Sequence, residues 1–457
     1  MAVGFRAKSS GGCRRSAWRL GRTFQIPMPK IAAFLREHRR WGIVAVLFFF
    51  ALINNLDRQT LSVLAPTLKQ TLGFTSVEYS YIVASFLAAY TLGYVFAGSV
   101  LDRLGVRFAL GVALALWSFA GLSHALAAGW VALAVSRFVL GLGESFNSPG
   151  GIKGLSEWIP PQERGLCIAI VNNGNVVGSI IAPPLVGVVA LQFGWQWAFI
   201  VTGLMGFVLL AIWQRVYHDP EHHPRLTPTE RAHILTARDG AGGSAGATPT
   251  LLELLRHPMC LGFFAVRLLT DPFSYFFNFW LPDYFRTERG FSLALLALIG
   301  WVPYLAGDIG APGGGALSDW LIRRGWTPPK ARGTLMLGAA GIMPLGIVAV
   351  RTPSTTMALA LIAVMFAAHT CWTANHMALL TETFPRKAIG TMMSFAALGG
   401  SLGGIVSTLL TGRVVKSFGY MPVFTTMSVL HVTAGAALGL TMWLHFRRPP
   451  TRARQPG

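Results

Sequence analysis

Seven charged residues, Asp57, Arg58, Arg137, Glu144, Arg267, Asp271 and Asp308, lie inside long apolar stretches of this sequence. A charge at the centre of a bilayer costs about 2.5–3.5 kcal/mol on insertion scales, so each needs a partner, a water-filled cavity or a ligand. Arg137 and Glu144 are seven residues apart. On a helix they share one face, extended by Gly141 and Ser148, but stand about 10 Å apart along the axis. They cannot satisfy each other and call for charges on another helix or a ligand. Arg267, Asp271, Ser274 and Asn278 step 4, 3 and 4 along one face. Arg267 and Asp271 can neutralise each other as an i,i+4 pair, and Asp57–Arg58 can equally hold two helices together. Tyr304 and Asp308, the group His369, Trp372, Thr373, Asn375 and His376, and the trio Asn172, Asn173 and Asn175 are the other polar clusters in apolar surroundings. Asp308 has local pairing as its simpler reading, His376 a neighbouring helix, and the asparagines helix–helix hydrogen bonding.

The elements that carry these residues follow from composition. Of 457 residues, 53% are hydrophobic and 12% are Asp, Glu, Lys or Arg. Soluble domains carry about 25% charge, so this chain could not cover a water-facing surface. The mean hydropathy of +0.52 agrees, and a polytopic membrane protein is expected. Lys and Arg outnumber Asp and Glu by 38 to 18. That excess reads as the basic cytoplasmic loops of a membrane protein, not as a nucleic-acid surface. Cys13, Cys167, Cys260 and Cys371 form no metal-ligand or disulfide spacing.

Apolar stretches of about 20 residues mark twelve candidate spans, near 41–65, 79–101, 107–127, 130–151, 165–190 and 195–214, then 259–285, 292–317, 332–351, 356–381, 388–412 and 421–445. The expected organisation is a basic tail 1–40, a six-helix half 41–214, a polar linker 215–257 read as a flexible cytoplasmic loop, a second half 258–446 and a tail 447–457. With both termini cytoplasmic, 29 of the 38 Lys and Arg fall on the cytoplasmic side, which sets the orientation. The first 27 residues hold six cations, no acid and no apolar core. They read as a disordered tail or upstream extension with Met28 as the functional start, not as a secretory signal.

The two halves repeat each other. A shift of 225 lays Gly165, Gly174, Gly178, Gly187 and Gly194 on Gly390, Gly399, Gly403, Gly412 and Gly419, and Glu157 on Glu382. A shift of 217 lays Asp102 on Asp319. Between spans 2 and 3, Gly98-Ser-Val-Leu-Asp102-Arg103-Leu-Gly105-Val-Arg107 resembles the signature loop of the major facilitator transporters, a gating element rather than a substrate site. Parallel six-helix repeats are the plan of those proteins, with the substrate between the halves.

Asn54-Asn-Leu-Asp57-Arg58 through Pro66, Arg137 to Glu144 followed by Glu157-Trp-Ile-Pro160, Leu269-Thr-Asp271 through Asn278, Trp280 and Pro282, and Ala368-His369-Thr-Cys-Trp372-Thr-Ala-Asn375 resemble the anion:cation symporter family, specifically its hexuronate and sugar-acid branch. The resemblance runs from about residue 41 to 445. It implies proton-driven uptake of an organic anion at a bacterial cytoplasmic membrane, with the proton as coupling ion and no other cofactor. It makes Asp57 and Glu144 the proton carriers and Arg58 and Arg137 their ionic partners. Arginine suits a carboxylate through bidentate bonding. Asn278, Asn375, His369 and Trp372 offer donors for hydroxyls, and Tyr90 and Trp280 are candidates for stacking on a sugar face. The wording of spans 7 and 10 favours a monocarboxylate hexuronate, whereas Arg267 leaves room for a dicarboxylate or another carboxylate. Rival readings are weaker. A membrane enzyme would need a catalytic grouping that His369 and His376 do not make, and a sensor would need an output partner beyond a 43-residue loop. A drug/proton antiporter would have a less arginine-rich cavity. The expected protein is a monomer in the bilayer.

Overall fold

In lipid the chain must satisfy its own backbone hydrogen bonds, so long apolar runs become helices. The computed structural model describes residues 39–239, 258–384 and 388–447, and every regular element among them is helical. The first half holds α1 (Arg39–Leu72), α2 (Ser76–Leu104), α3 (Val106–Ser123), α4 (Trp130–Glu144), α5 (Asn147–Trp158), α6 (Pro161–Phe193) and α7 (Trp195–Val216). After α8 (Pro228–Asp239) the second half holds α9 (Pro258–Phe279), α10 (Leu281–Thr287), α11 (Leu293–Ile299), α12 (Val302–Arg323), α13 (Pro328–Ile342), α14 (Leu345–Arg351), α15 (Thr355–Thr383), α16 (Ile389–Phe418) and α17 (Met421–Arg447). The basic tail with Cys13 and Met28, the linker stretch 240–257 and the tail after residue 447 lie outside the described residues.

Among the described residues, ten stretches are long and apolar enough to cross a membrane: α1, α2, α3 with its following turn, α6, α7, α11 with α12, α13 with α14, α15, α16 and α17. The two other expected spans are those of Arg137 and Glu144 and of Arg267 and Asp271. One breaks between α4 and α5 after Glu144, and the other breaks at Trp280 between α9 and α10. The outer surface exposes Val95, Phe119, Val135 and Ile309, an apolar exterior that suits lipid.

The repeat has a physical basis in helix crossings. A Cβ on Gly174 or Gly178 of α6 would strike the carbonyls of Phe48 and Leu52 in α1. A Cβ on Gly399 or Gly403 of α16 would strike those of Phe264 and Leu268 in α9. Shift-related glycines thus permit the same close crossing in each half. The halves meet along two seams, α2 against α16 and α6 against α11 and α12. Gly187 touches Ala297 on one seam and Gly412 touches Ser80 on the other, a second shift-related pair.

The described part of the linker, residues 215–239, includes the helix α8. Glu230 of α8 accepts the Arg39 and Arg40 backbone N–H groups at 3.2 Å each, capping the first turn of α1. Arg40 also pairs with Glu163 of α6 at 3.1 Å.

The two ends of the molecule differ. At one end Lys69 of α1 pairs with buried Asp283 of α10 at 2.7 Å, and Tyr420 donates to the same carboxylate at 2.5 Å. There the Tyr79 hydroxyl donates to the Phe279 carbonyl at 2.6 Å, and Arg286 to Thr67 at 2.6 Å. The halves are sealed together. At the other end, that of the Asp102 loop, α2 and α5 stand apart from α16 around an opening of about 850 Å³. Asp102 pairs with Lys153 of its own half at 2.6 Å. Asp319 pairs with Arg332, which also holds Glu382, at 2.8 and 3.0 Å, again within one half. Gly105 has φ of 76° at the turn from α2 to α3, where its missing side chain is required. Arg107 donates to the Gln214 carbonyl at 2.7 Å, and Arg103 and Gly98 are exposed.

Candidate functional site

The opening narrows past Tyr90 and Ile152 into a blind cavity of about 300 Å³ inside the first half. Its wall includes Arg58, Tyr90 and five asparagines, Asn54 and Asn55 of α1, Asn147 of α5, and Asn172 and Asn175 of α6. Arg58 is its charged group. Its Nε lies 2.5 Å from Oε2 of Glu144, a residue with 0% exposure at the end of α4. The guanidinium stacks over Tyr90 at 4.7 Å and Phe86 at 5.2 Å. The break after Glu144 turns the chain so that Asn147 and Ser148 also face the cavity.

Arg137 takes a different place. It is 1% exposed and donates to the carbonyls of Asp57 and Arg58 at 3.4 and 3.2 Å. It braces the α1 backbone behind the cavity wall and is not among the lining residues. Asp57 likewise points away. Its carboxylate lies beside Thr202 of α7 and Gly121 of α3, and makes no ion pair among the described residues. The expected pairing of Asp57 with Arg58 or Arg137 is therefore not formed, because successive helical residues diverge by about 100° and Arg58 alone faces the cavity.

In the second half Arg267 and Asp271 do pair along their own helix, Nη2 to Oδ2 at 2.6 Å. They face α16 at Gly400. Asn278 accepts from Gln59 of α1 at 2.9 Å, and Tyr304 donates to the Phe277 carbonyl at 3.2 Å and to Gln59 at 3.4 Å. This polar bridge joins the halves. His369 and Trp372 are buried against His431 of α17, and Asn375 turns its amide N–H onto the Cys371 carbonyl. Trp280 is fully buried in the seal, packed edge-on against Tyr79 at 4.9 Å. None of these five second-half candidates, Asn278, Trp280, His369, Trp372 and Asn375, lines the blind cavity. The sugar-stacking place expected for Trp280 is taken by inter-half packing. His376 is buried against Phe263.

Several polar residues escaped sequence reasoning. Asn55 and Gln59 flank residues that were singled out, but their direction depends on how α1 is rotated. His431 is an isolated histidine in the last apolar span, as is His124 near the end of the third. Burial with a polar partner was their available signal. The Lys69–Asp283 link joins residues 214 apart and has no local signature.

The sequence profile of the Major Facilitator Superfamily matches residues 47–375. The hexuronate transporter of Escherichia coli (strain K12) is 29% identical over 416 residues, 90% of this chain and 95% of that protein. The galacturonate transporter of Dickeya chrysanthemi is 32% identical over 60% of this chain and 80% of that protein. A probable galactarate/D-glucarate transporter of Escherichia coli (strain K12) is 29% identical over 86% and 93%. Among solved structures, a D-xylose–proton symporter aligns with a TM-score of 0.71 at 17% identity, over 87% of this chain and 97% of that one. A bacterial homolog of the human lysosomal transporter Spinster, inward-facing, aligns with 0.69 at 19% identity, over 89% and 96%.

Proposed function

The chain belongs to the Major Facilitator Superfamily, a family of membrane transporters, and from that premise we propose that it is a proton-coupled symporter of a hexuronate-like sugar acid. The observation that carries the reading is Arg58, paired with buried Glu144, in the wall of an asparagine-lined cavity. A carboxylate ligand needs a guanidinium and its hydroxyls need amides, and this cavity offers both. The sugar-acid names of the relatives point the same way.

Coupling follows from desolvation. The Glu144 carboxylate is fully buried and its charge is costly without a partner, while Arg58, with its side chain 25% exposed at the cavity wall, is best neutralised by one carboxylate at a time. Either ionised Glu144 or the substrate carboxylate does this. A proton on Glu144 releases Arg58 to the substrate, and substrate departure returns Arg58 to Glu144 as the proton leaves. Asp57 is the second proton-carrying candidate, reached through the packing of α3 and α7. Arg137 acts on Arg58 through the backbone of α1. Because Arg267 is held by Asp271 and does not line the cavity, Arg58 as the one cation in the cavity wall among the described residues favours a monocarboxylate over a dicarboxylate.

In the full reading twelve spans form two six-helix halves, 41–214 and 258–446, with cytoplasmic termini and the linker on the same side. Its cation distribution places the Asp102 end in the cytoplasm. The described conformation is then inward-open, sealed outside by Lys69, Asp283 and Tyr420. The protein would work as a monomer in a bacterial inner membrane, with the proton as its only coupling partner and no nucleic acid.

The test is uptake of labelled D-glucuronate and D-galacturonate by proteoliposomes. An inward proton gradient should drive accumulation, and a protonophore should abolish it. Uptake indifferent to the gradient overturns the coupling. No uptake of any sugar acid, with transport of another carboxylate from a panel, overturns the substrate.

A further inference from the structure

Behind Ser274, which shares a face of α9 with Arg267 and Asn278, runs a buried chain of imidazoles. The Ser274 hydroxyl lies 2.5 Å from Nε2 of His369, whose Nδ1 lies 2.9 Å from Nε2 of His431. Nδ1 of His431 lies 3.2 Å from the Met427 carbonyl. Both rings are buried, His369 at 2% and His431 at 1% exposure, among Phe273, Phe366 and Trp372. No carboxylate touches either ring among the described residues. Arg267, the nearest cation, is already paired with Asp271. An aromatic enclosure without an acidic partner requires uncharged rings.

The tautomers then follow in one direction. A carbonyl only accepts, so Nδ1 of His431 holds a proton and its Nε2 accepts. Nδ1 of His369 must therefore donate, which leaves its Nε2 as an acceptor. The Ser274 hydroxyl is obliged to give its single proton to that nitrogen. An ordinary serine rotates to donate or accept, whereas this one is left with lone pairs alone.

We infer that Ser274 is a dedicated hydrogen-bond acceptor for one substrate hydroxyl, with His369 and His431 as the positioning residues that fix its polarity. The inference rests on the sugar-acid reading above and adds a selectivity element in the second half, on a different helix from the carboxylate site on Arg58. Ser274 is half-buried, so part of it remains open to a ligand, and the Asn278 amide, committed to Gln59 and the Ser274 carbonyl, does not compete. A hydroxyl both donates and accepts, so it fits here. A ketone or ether oxygen meets only lone pairs and is refused.

Two measurements test this on the whole protein. Histidine 15N spectra of the wild type should show His369 and His431 both protonated at Nδ1. A proton on Nε2 of His369 overturns the inference whatever the protein transports. Binding is then measured for D-glucuronate and its 2-, 3- and 4-deoxy analogues. The parent should bind about 3- to 10-fold more tightly than one analogue, the worth of one hydrogen bond. Ser274→Ala and His431→Phe should each erase that preference, with no further loss in the double variant. His431→Gln, whose side-chain oxygen accepts from His369, should restore it. Wild-type affinity of His431→Phe for that analogue confirms folding, and a retained preference overturns the inference. Should His431→Phe fail to fold, a full preference in Ser274→Ala does the same. A wild type that binds none of these acids sinks the sugar-acid reading and the ligand assigned to Ser274 with it, while the spectrum judges the tautomers separately.

Discussion

The first half joins its charges across helices, and the second joins them along one. Arg58 and Glu144 come from α1 and α4, 86 residues apart, and Arg58 borders a cavity while Glu144 is buried behind it. Arg267 and Asp271 sit one turn apart on α9. The scaffolds around them match, since Gly174 and Gly178 cross α1 as Gly399 and Gly403 cross α9. The lesson is that the repeat dictates backbone crossings and leaves the chemistry free to differ. A pair spanning two helices can exchange partners when a proton or ligand arrives. A pair within one helix keeps its geometry through any rigid-body movement of the halves.

The strongest way to break this contrast is at Glu144. Glu144→Gln imitates the protonated form, so proton-driven accumulation should vanish while substrate exchange across the liposome membrane continues. Normal accumulation would move coupling to Asp57. Arg58→Ala should leave Glu144 buried and alone, lowering stability by about 3–5 kcal/mol and sugar-acid affinity by 100-fold or more. Thermal unfolding in detergent and ligand titration read the two effects.

The second half should behave differently under the same treatment. Arg267→Ala alone strands Asp271 and should lower the unfolding temperature, whereas Arg267→Ala with Asp271→Asn should recover most of it and keep uptake within a few-fold of wild type. A folded double variant that no longer binds substrate would make Arg267 a ligand and erase the distinction between the halves.

Smaller effects sharpen the picture. Lys69→Ala and Asp283→Asn each open the seal, and loss of about 1–2 kcal/mol there should shift the inward/outward population by roughly 10-fold. Spin-label distances across that end would report it, and an unchanged distribution would mean the seal is maintained by the Tyr79–Trp280 packing and the Tyr79–Phe279 and Arg286–Thr67 hydrogen bonds. Asn172→Ala and Asn175→Ala should each weaken sugar-acid binding by about 3- to 10-fold without altering gradient dependence. An equal loss for a simple carboxylate lacking hydroxyls would show that these amides do not read hydroxyls.

Much of the architecture was legible in the sequence because hydropathy and repeat register are properties of the chain itself. Of the glycines related by the 225-residue shift, Gly174, Gly178 and Gly187 and their partners Gly399, Gly403 and Gly412 fall at close helix contacts. The helix of the linker was not legible, since α8 is short and polar and gains its place by capping α1 through Glu230. The site was legible by residue type and less so by direction. Arg58 and Tyr90 line the cavity and buried Glu144 holds Arg58 from behind, but Arg137 and Asp57 make no ion pair with Arg58 and turn behind the wall. Trp280 and Trp372 carried the right chemistry and are consumed by packing.

The sequence by itself determined that this chain lives in a membrane, that it is built twice over, and that Arg58, Arg137 and Arg267 must be accounted for within its spans. These conclusions need only composition, the length of apolar runs and the register of a repeat. Only the tertiary structure decided which carboxylate holds which arginine, which asparagines share a cavity and which end is sealed. Neighbouring residues on a helix point about 100° apart, so a small rotation of α1 exchanges Asp57 for Arg58 at the cavity wall. Spacing along the chain carries no record of that rotation, which is set by the packing of α1 against α6 and α7.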